Sequence, residues 1–355
     1  MKNYIFTGIS GSGRIELLNE LKTELVKRGE SVNVFDVGRI IFDSAERLNI
    51  KISDEKVLDI DKDLLISLRK IALDEVQLQI TKQPTDFNLI GIHATFRWKS
   101  RLIRGISFRE LETFSVEGFI NVVDDVRKIC EINSYNLKWK DIERPEIEET
   151  NSWIMEEEFI TEVLAEFHRV PVYIVCRTHN ISNLADLFLT NKKKVYASYP
   201  VTQISRDNPQ LLERFREDVL PKLENEFIVF DPMLIRDMDL VYEGQIVLPD
   251  SVEGISERAA NQLKARIVER DFQFIDQANF VVVLYLTDKV SAGVLSEIIY
   301  AHRHAKPVFM VFPFSVSPFL QDATTRIFKT EEELFQYFCS SEFAERFKTI
   351  APNTV

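Results

Sequence analysis

Cysteine is scarce in this chain, and the cysteines that are present lie far apart. The 355 residues include only Cys130, Cys176 and Cys339, an odd number at wide spacing. Such a set suits neither a disulfide framework nor a zinc site, because both need cysteines in pairs at short intervals. We therefore expect buried thiols, and the sequence predicts no metal site.

Long apolar runs and clustered positive charge are also missing. No window reaches the roughly eighteen apolar residues of a membrane span, and the first residues do not form a basic segment followed by an apolar one. Lys and Arg number 44 against 56 Asp and Glu, a formal net charge of −12, without a sustained basic stripe. This balance argues against binding to a polynucleotide or a membrane surface. We expect a cytoplasmic protein by elimination.

Glycine and proline are few, with 11 and 12 residues, and 45% of the chain is hydrophobic. Long disordered or low-complexity tracts are therefore not expected. The length exceeds that of one hydrophobic core, and a prior of roughly 150 residues per domain suggests two domains.

Short apolar runs alternate with helical patterns along the whole chain, which predicts an α/β fold with mostly parallel sheets. A polar stretch near residue 190 suggests a domain at residues 1–190 and another at 191–355, each with a sheet between helical layers. Strands are predicted at residues 3–7, 32–35, 89–92, 119–123 and 172–176, then at 195–198, 227–230, 280–286 and 308–312. The main helices of the second half are predicted at residues 210–223, 256–275, 293–304 and 331–347.

A glycine cluster follows the first predicted strand and precedes a helical pattern. This setting and the G-x-x-x-x-G spacing are typical of a phosphate-binding loop, whose amides hold phosphates at a helix N-terminus. However, Arg14 stands where such loops have lysine, and Ile15 stands where they have the hydroxyl that binds Mg²⁺. The candidate phosphate-binding residues are Gly8, Gly11, Ser12, Gly13 and Arg14.

Residues 1–190 resemble the P-loop nucleoside monophosphate kinases in this loop, in the strand end Gly91–Ala94 and in Trp153 ahead of the last strand. The resemblance implies ATP or another nucleotide as a ligand of the first domain. Three roles stay open, namely an active kinase, nucleotide binding without turnover, and a purely structural part. His93 fits a structural as well as a functional role, and the acidic residues 141–158 are interpreted as a solvated lid or loop. Arg97, Arg101 and Arg104 fit either a second nucleotide's phosphates or a solvated basic face.

In the second half, Gly293 opens a helix directly after an apolar strand. Glu297 then lies one turn into the helix and points back over the carboxyl edge of the sheet, where α/β proteins bind ligands. A carboxylate close to a sugar can stabilise the oxocarbenium-like state of N-glycosidic bond cleavage or capture it covalently, while a second acid protonates the leaving base.

Three segments of the second half, residues 195–200, 269–278 and 291–301, resemble the nucleoside 2-deoxyribosyltransferase family and its nucleoside 5′-monophosphate N-glycosidase branch. The resemblance implies that Glu297 is the nucleophile and Asp271 the proton donor, and that no cofactor is needed. Ser291 replaces the aspartate of transferases that act on free nucleosides, which implies a substrate phosphate. The implied substrate-binding residues are Tyr196, Ser291, Gly293 and Ser315, the last from a neighbouring subunit of a homo-oligomer formed through the second domain.

Three of these residues also have a simpler interpretation. Glu297 also fits a favourable acid near a helix start, Asp271 a solvent-facing helix position, and Ser291 a plain N-cap. Tyr199 stands where the family has glycine, so the pocket floor is expected to be reshaped. We expect hydrolysis of a nucleoside 5′-monophosphate or transfer of its base. The alternatives are a nucleotide-sensing protein without turnover and a nucleoside or nucleotide kinase.

Overall fold

Helices and strands alternate along nearly all of the described chain, as an α/β fold requires. None of the described helices combines the length and the apolar character of a membrane span. The structure is a computed structural model that describes residues 1–53, 56–99, 101–140, 142, 144–201, 204, 207–237 and 256–348.

The chain forms two compact units. Unit 1 comprises Met1–Ala185 and Ile235–Ile267, and unit 2 comprises Asp186–Leu234 and Val268–Val355. The predicted boundary at residue 190 lies close to the point where the chain first passes from unit 1 to unit 2, between Ala185 and Asp186. The predicted domains are continuous, however, whereas the chain returns to unit 1 between the two parts of unit 2.

Buried charges hold the returning segment in unit 1. Asp237 Oδ1 accepts the amide of Val126 at 2.9 Å, and Asp237 Oδ2 lies 3.0 Å from Arg266 Nη1. A second carboxylate, that of Glu158, lies 3.5 Å from the same guanidinium. Buried charges need such partners, because an unpaired one is strongly destabilising. The pairing therefore explains why this stretch belongs with unit 1, which the apolar pattern of the sequence does not indicate.

Unit 1 contains a five-stranded parallel sheet of order β2-β3-β1-β6-β7. The connections that follow β1 and β3 run to opposite sides, the arrangement in which α/β sheets form a crevice between the carboxyl ends of two strands. An antiparallel hairpin, β4-β5, follows β3 and was not predicted. The strands are β1 (Lys2–Thr7), β2 (Val32–Asp36), β3 (Phe87–Gly91), β4 (Thr95–Trp98), β5 (Arg101–Arg104), β6 (Val116–Val123) and β7 (Val172–Cys176).

Helices connect these strands. The long helix α6 contains the end of the acidic stretch predicted as a solvated lid, and this interpretation was wrong, because Glu157 and Glu158 are buried. The helices are α1 (Arg14–Lys27), α2 (Val37–Arg47), α3 (Lys62–Lys82), α4 (Phe108–Leu111), α5 (Val126–Ser134), α6 (Ile147–His168) and α7 (Ile181–Leu189), the last continuing into unit 2.

Unit 2 contains a second parallel sheet, of order β12-β11-β10-β8-β9. This is the flavodoxin-like order, whose connections diverge between its first and third strands, here β8 and β10. The predicted fold class, α/β with mostly parallel sheets, is confirmed in both units. The strands are β8 (Lys194–Ser198), β9 (Ile228–Phe230), β10 (Phe280–Leu284), β11 (Val308–Val311) and β12 (Arg326–Phe328).

The four helices predicted for the second half are present, the first with a π-helical turn and the last divided in two, and a short helix at Pro318–Asp322 was not predicted. One closing helix was predicted, but two form, because Ser340 leaves the helical path and its hydroxyl accepts the amide of Phe343 at 3.2 Å. The helices are α8 (Pro209–Arg214), a π-helical turn (Phe215–Val219), α9 (Leu220–Glu226), α10 (Glu257–Gln277, which begins in unit 1), α11 (Ala292–Arg303), α12 (Pro318–Asp322), α13 (Glu331–Phe338) and α14 (Ser341–Lys348).

Aromatic side chains fill the core of unit 2. The Phe227 ring lies 5.1 Å from that of Phe280 and 5.0 Å from that of Phe338, and Phe338 lies 4.9 Å from Phe343. Edge-to-face rings of this kind stabilise a core beyond the area they bury. The cysteines do not share one environment. Cys176 is buried as expected, whereas Cys130 is half-buried and Cys339 is exposed.

Candidate active site

Two hydroxyl side chains of β8 face the same side of the unit 2 sheet. Side chains alternate along a strand, so Tyr196 and Ser198 point away from the core cluster that contains Val195 and Ala197. They pair in parallel register with Val281 and Val283 of β10. Both hydroxyls therefore lie at the crevice between β8 and β10 that the strand order predicts.

Glu297 of α11 meets both hydroxyls. The Tyr196 hydroxyl donates to Glu297 Oε1 at 3.0 Å, and Ser198 Oγ donates to Glu297 Oε2 at 2.5 Å. Glu297 is half-buried, whereas the two β8 side chains are fully buried. The carboxylate is therefore held from both oxygens at the edge of the sheet. A favourable acid at a helix start would not require these bonds.

The charge state of Glu297 is perturbed. Burial raises its pKa to about 7, and the negative charge of Asp271 acts in the same direction, while the hydrogen bonds from Ser198 and Tyr196 oppose the shift. Burial also raises the pKa of Tyr196 well above its usual value, so this hydroxyl remains a donor. A carboxyl that titrates near neutrality in a crevice is a feature of functional sites.

Asp271 lies on α10 and interacts electrostatically with Glu297 and Tyr196. Its side chain is only 16% exposed, and its Oδ1 lies 3.3 Å from the guanidinium of the preceding residue, Arg270. The alternative of a solvent-facing helix position is wrong. The structure thus brings both predicted catalytic carboxylates to one location, although the two come from segments far apart in the chain.

Ser291 precedes the first residue of α11 and is buried, but its side chain makes no capping bond to the helix. Its amide instead donates to the Tyr285 hydroxyl at 2.6 Å, and this hydroxyl donates to the Lys289 carbonyl at 3.0 Å. Tyr285 therefore fixes the loop that leads into α11. A plain N-cap does not describe Ser291, whose hydroxyl is not used by the helix.

Gly293 lies in the first turn of α11 and is exposed. A Cβ atom at this position would meet none of the described residues within 4 Å, so their packing does not require glycine. Open space in front of helix amides is what an anionic ligand needs. Ser315 is exposed in the loop after β11, at the same carboxyl edge of the sheet.

Tyr199 does not fill the space around Glu297. Its ring packs 4.2 Å from that of Phe215 within the core cluster, and its hydroxyl donates to Asp231 Oδ1 at 2.7 Å. Alternation directs this side chain to the face opposite Ser198. The expected reshaping of the pocket floor by Tyr199 is therefore absent from the described part of the crevice.

The glycine loop of unit 1 is bound to the chain itself. Glu157 Oε1 accepts the amides of Gly8 at 2.9 Å and Ala94 at 2.8 Å, and Oε2 accepts the amide and hydroxyl of Thr95 at 2.6 and 2.7 Å. Arg14 Nη1 donates to the carbonyls of Gly8 and Ile92 at 2.7 and 2.9 Å. A carboxylate and a guanidinium of the protein thus occupy the crevice between β1 and β3.

The other predicted loop residues adopt the backbone of a tight turn. Gly8, Gly11 and Gly13 have positive φ angles of 141°, 88° and 71°, which favour glycine. The buried Ser12 hydroxyl has no hydrogen-bond partner in the part of the chain that the structure describes, and a Cβ at Gly8 would lie 2.8 Å from it. The loop shape was therefore predictable from its glycines, whereas the hydrogen bonds from Arg14 to backbone carbonyls were not.

A cleft of about 1180 Å³ opens beside this loop within unit 1. All three tryptophans of the chain line it, and the Trp139 ring lies 5.3 Å from Trp98 and 6.4 Å from Trp153. Basic side chains outnumber acidic ones around the cleft although the chain is acidic overall. His93 lines the cleft as a neutral ring, because burial lowers its pKa well below the usual value. Arg97 pairs with Glu156.

Two residues that shape these sites were not predicted. Ser198 holds Glu297, and the signal for it was its position two residues after Tyr196 on a predicted strand. Glu157 holds the glycine loop, and nothing in the sequence distinguishes it from the other acidic residues of the same stretch.

No family model matches this chain, and no curated protein matches it either. Solved structures that match include a 2-deoxyribosyltransferase from the psychrotolerant bacterium Bacillus psychrosaccharolyticus, with 19% sequence identity and a TM-score of 0.28. The match covers 40% of this chain and 89% of that chain. Similarity at this level carries no argument about function. The resemblance of residues 1–190 to P-loop kinases finds no support in these comparisons and stays a prediction.

Proposed function

We propose that unit 2 cleaves the N-glycosidic bond of a nucleoside 5′-monophosphate. The observation that carries the proposal is the pair of carboxyl groups at the β8–β10 crevice, where Glu297 is held by two hydroxyls and has a pKa near 7. The proposed reaction needs Glu297 as the ionised nucleophile and Asp271 as the proton donor to the leaving base.

The reaction uses both groups in turn. The Glu297 carboxylate attacks C1′ of the sugar, the bond from C1′ to the base nitrogen breaks, and the base leaves with the electron pair and takes the proton of Asp271. Water then attacks C1′ of the glycosyl ester, gives a proton to Asp271 and releases the sugar phosphate and the Glu297 carboxylate. Attack by a second base in place of water gives transfer.

The start of α11 supports a phosphate on the substrate. Ser291 offers a buried hydroxyl that the helix does not use, and the backbone at Gly293 faces open space. Helix N-terminal amides favour a dianion, and no acidic residue lies in the first turn of α11 to oppose it. A substrate with C1′ at Glu297 and its 5′-phosphate at this helix start would use both features.

The test is base release, followed by chromatography, from a panel of nucleosides and nucleoside 5′-monophosphates. We expect Glu297→Gln to lower the rate by roughly a thousandfold or more, because an amide keeps the shape but lacks the nucleophile. The matched control is Glu269→Gln, which changes an exposed glutamate of the neighbouring helix and should leave the rate unchanged. Full activity of Glu297→Gln would exclude the covalent role.

The cleft of unit 1 supports a second candidate function, which is binding of a nucleotide without turnover. Aromatic walls suit a base, and the surplus of basic side chains suits phosphates. The loop fits a Mg²⁺-nucleotide poorly, because Arg14 donates to backbone carbonyls and the Ile15 side chain lies against Gly91. This arrangement weighs against the kinase alternative.

Tryptophan fluorescence tests the second candidate directly, since all three tryptophans line the cleft of unit 1. We expect mono- or triphosphates to change the emission without release of inorganic phosphate. Lys138→Ala should weaken the response, because its ammonium lies 5.4 Å from the Trp139 ring, whereas Lys22→Ala on the exposed face of α1 should not. Emission unaffected by every nucleotide would remove this candidate.

A further inference from the structure

Ser198 is the last residue of β8, and its side chain is buried against α11 rather than exposed. Its hydroxyl lies 2.5 Å from Glu297 Oε2, while the Tyr196 hydroxyl bonds the other oxygen at 3.0 Å. A buried hydroxyl in an apolar sheet is costly without a partner, and here the partner is the proposed nucleophile. Ser198 therefore contributes to the site through its hydrogen bond to Glu297 rather than through packing.

We infer that Ser198 is a positioning residue that fixes the orientation of the Glu297 carboxylate and favours its ionised form. The inference rests on the proposed function of Glu297. Two donors on the same face of one strand, two residues apart, hold the two oxygens of one carboxylate, so rotation of the group would break both bonds. Each oxygen keeps further lone pairs, so one of them remains available to attack C1′.

The hydroxyl should also set the pH range of activity. Among the described residues, the titratable and charged groups that act on Glu297 are Asp271 and Tyr196, with Arg270 beside Asp271. Burial and Asp271 disfavour the carboxylate, while Ser198 and Tyr196 favour it. Loss of the hydrogen bond from Ser198 should therefore raise the pKa of Glu297. The ionised fraction of Glu297 then falls at and below neutral pH.

The experiment compares Ser198→Ala with Ser296→Ala in the full chain. Ser296 is exposed and directly precedes Glu297, so it controls for loss of a hydroxyl near the site. In Ser198→Ala we expect the acidic limb of the pH–rate profile to move up by about one pH unit, so that activity falls roughly tenfold at pH 6 and much less at pH 9. Ser198→Thr, which keeps the hydroxyl, should restore the original limb.

A second readout does not depend on activity. With carboxyl-¹³C glutamate, the titration midpoint of the Glu297 resonance should lie about one pH unit higher in Ser198→Ala than in wild type. In Ser296→Ala the midpoint should not change. An unchanged Glu297 titration, or a rate loss equal at all pH values, would overturn the inference. Absence of base release from the wild type would instead overturn the proposed function, while the NMR titration would still decide whether Ser198 acts on Glu297.

Discussion

Each unit holds a glutamate at the carboxyl edge of its parallel sheet, and the two side chains are bound in different ways. Glu157 accepts three backbone amides and a threonine hydroxyl, with the Arg14 guanidinium acting on the same charge. Glu297 accepts two side-chain hydroxyls and has a second carboxylate as its neighbour. Glu157 therefore satisfies buried amides of the fold, whereas Glu297 is oriented by hydrogen bonds and lies near a charge of the same sign.

The two units therefore use a glutamate in different ways: Glu157 fixes the glycine loop of unit 1, whereas Glu297 of unit 2 lies near a helix start that stays open. In unit 1 the loop that would receive a phosphate is tied to Glu157 at its first glycine. In unit 2 the helix start after β10 has a serine hydroxyl that does not cap the helix, and no described residue lies in front of Gly293. Buried charges that destabilise a fold are retained where chemistry needs them. The same substitution in the two units should therefore have opposite effects.

Glu157→Gln should give the largest change in stability. Glutamine offers one acceptor oxygen and directs an NH₂ group at buried amides, so donors lose their partner and Arg14 loses its counter-charge. We expect a loss of about 3–5 kcal/mol in the free energy of unfolding, measured with chemical denaturant. Glu166→Gln changes an exposed glutamate of the same helix and should be neutral. A loss under 1 kcal/mol would mean that Glu157 does not hold the loop.

Glu297→Gln should instead stabilise the protein at neutral and alkaline pH. A carboxyl whose pKa is raised from 4.5 to about 7 on folding binds its proton more tightly in the folded state. Wild-type stability therefore falls as pH rises from about 4.5 to 7 and the group must ionise. Glutamine does not titrate, so the variant should be more stable by up to about 3 kcal/mol at pH 8, with the gain disappearing toward pH 4.5. Denaturation at several pH values measures this, and a gain independent of pH would contradict the assigned charge state.

The sequence predicted the residues of one segment better than the contacts between segments. Ser291, Gly293 and Glu297 belong to one helix start directly after an apolar strand, so their common location followed from local pattern. Ser198 bonds a residue 99 positions away and Glu157 one 149 positions away. No local periodicity encodes such pairings, because they depend on strand order and helix placement.

The burial of Glu157 and the return of the chain to unit 1 were not predicted, for the same reason. The acidic run around Glu157 reads as solvated surface until the amides of Gly8, Ala94 and Thr95 are brought to it. The return of the chain to unit 1 depends on Arg266 meeting Asp237. Most strands and helices were predictable because they depend on hydrophobic pattern, but β4, β5 and β12 were not predicted.

Ser291→Asp should have a smaller effect, and on selectivity rather than on the fold. A carboxylate at the start of α11 would repel a substrate phosphate, which should weaken binding by on the order of 1–3 kcal/mol, and it would accept a hydrogen bond from a free 5′-hydroxyl. We expect activity on nucleoside monophosphates to fall at least tenfold while the ratio shifts toward nucleosides. Parallel rates on both substrate classes test this. A ratio that does not move would reduce Ser291 to a structural residue of the loop.

The smallest changes come from one alanine in each crevice, and they should differ in sign. At Gly13 a Cβ would lie 2.5 Å from Arg177 Cδ, and φ is +71°, so Gly13→Ala should destabilise by about 1–2 kcal/mol. At Gly293 a Cβ meets nothing, so Gly293→Ala should stabilise α11 by less than about 1 kcal/mol. The added methyl group would nevertheless stand in the space assigned to the substrate phosphate. We therefore expect Gly293→Ala to melt at the same temperature or higher while base release from monophosphates falls. A variant that is both stabilised and fully active would place the phosphate elsewhere, because no group among the described residues lies within 4 Å of that methyl position.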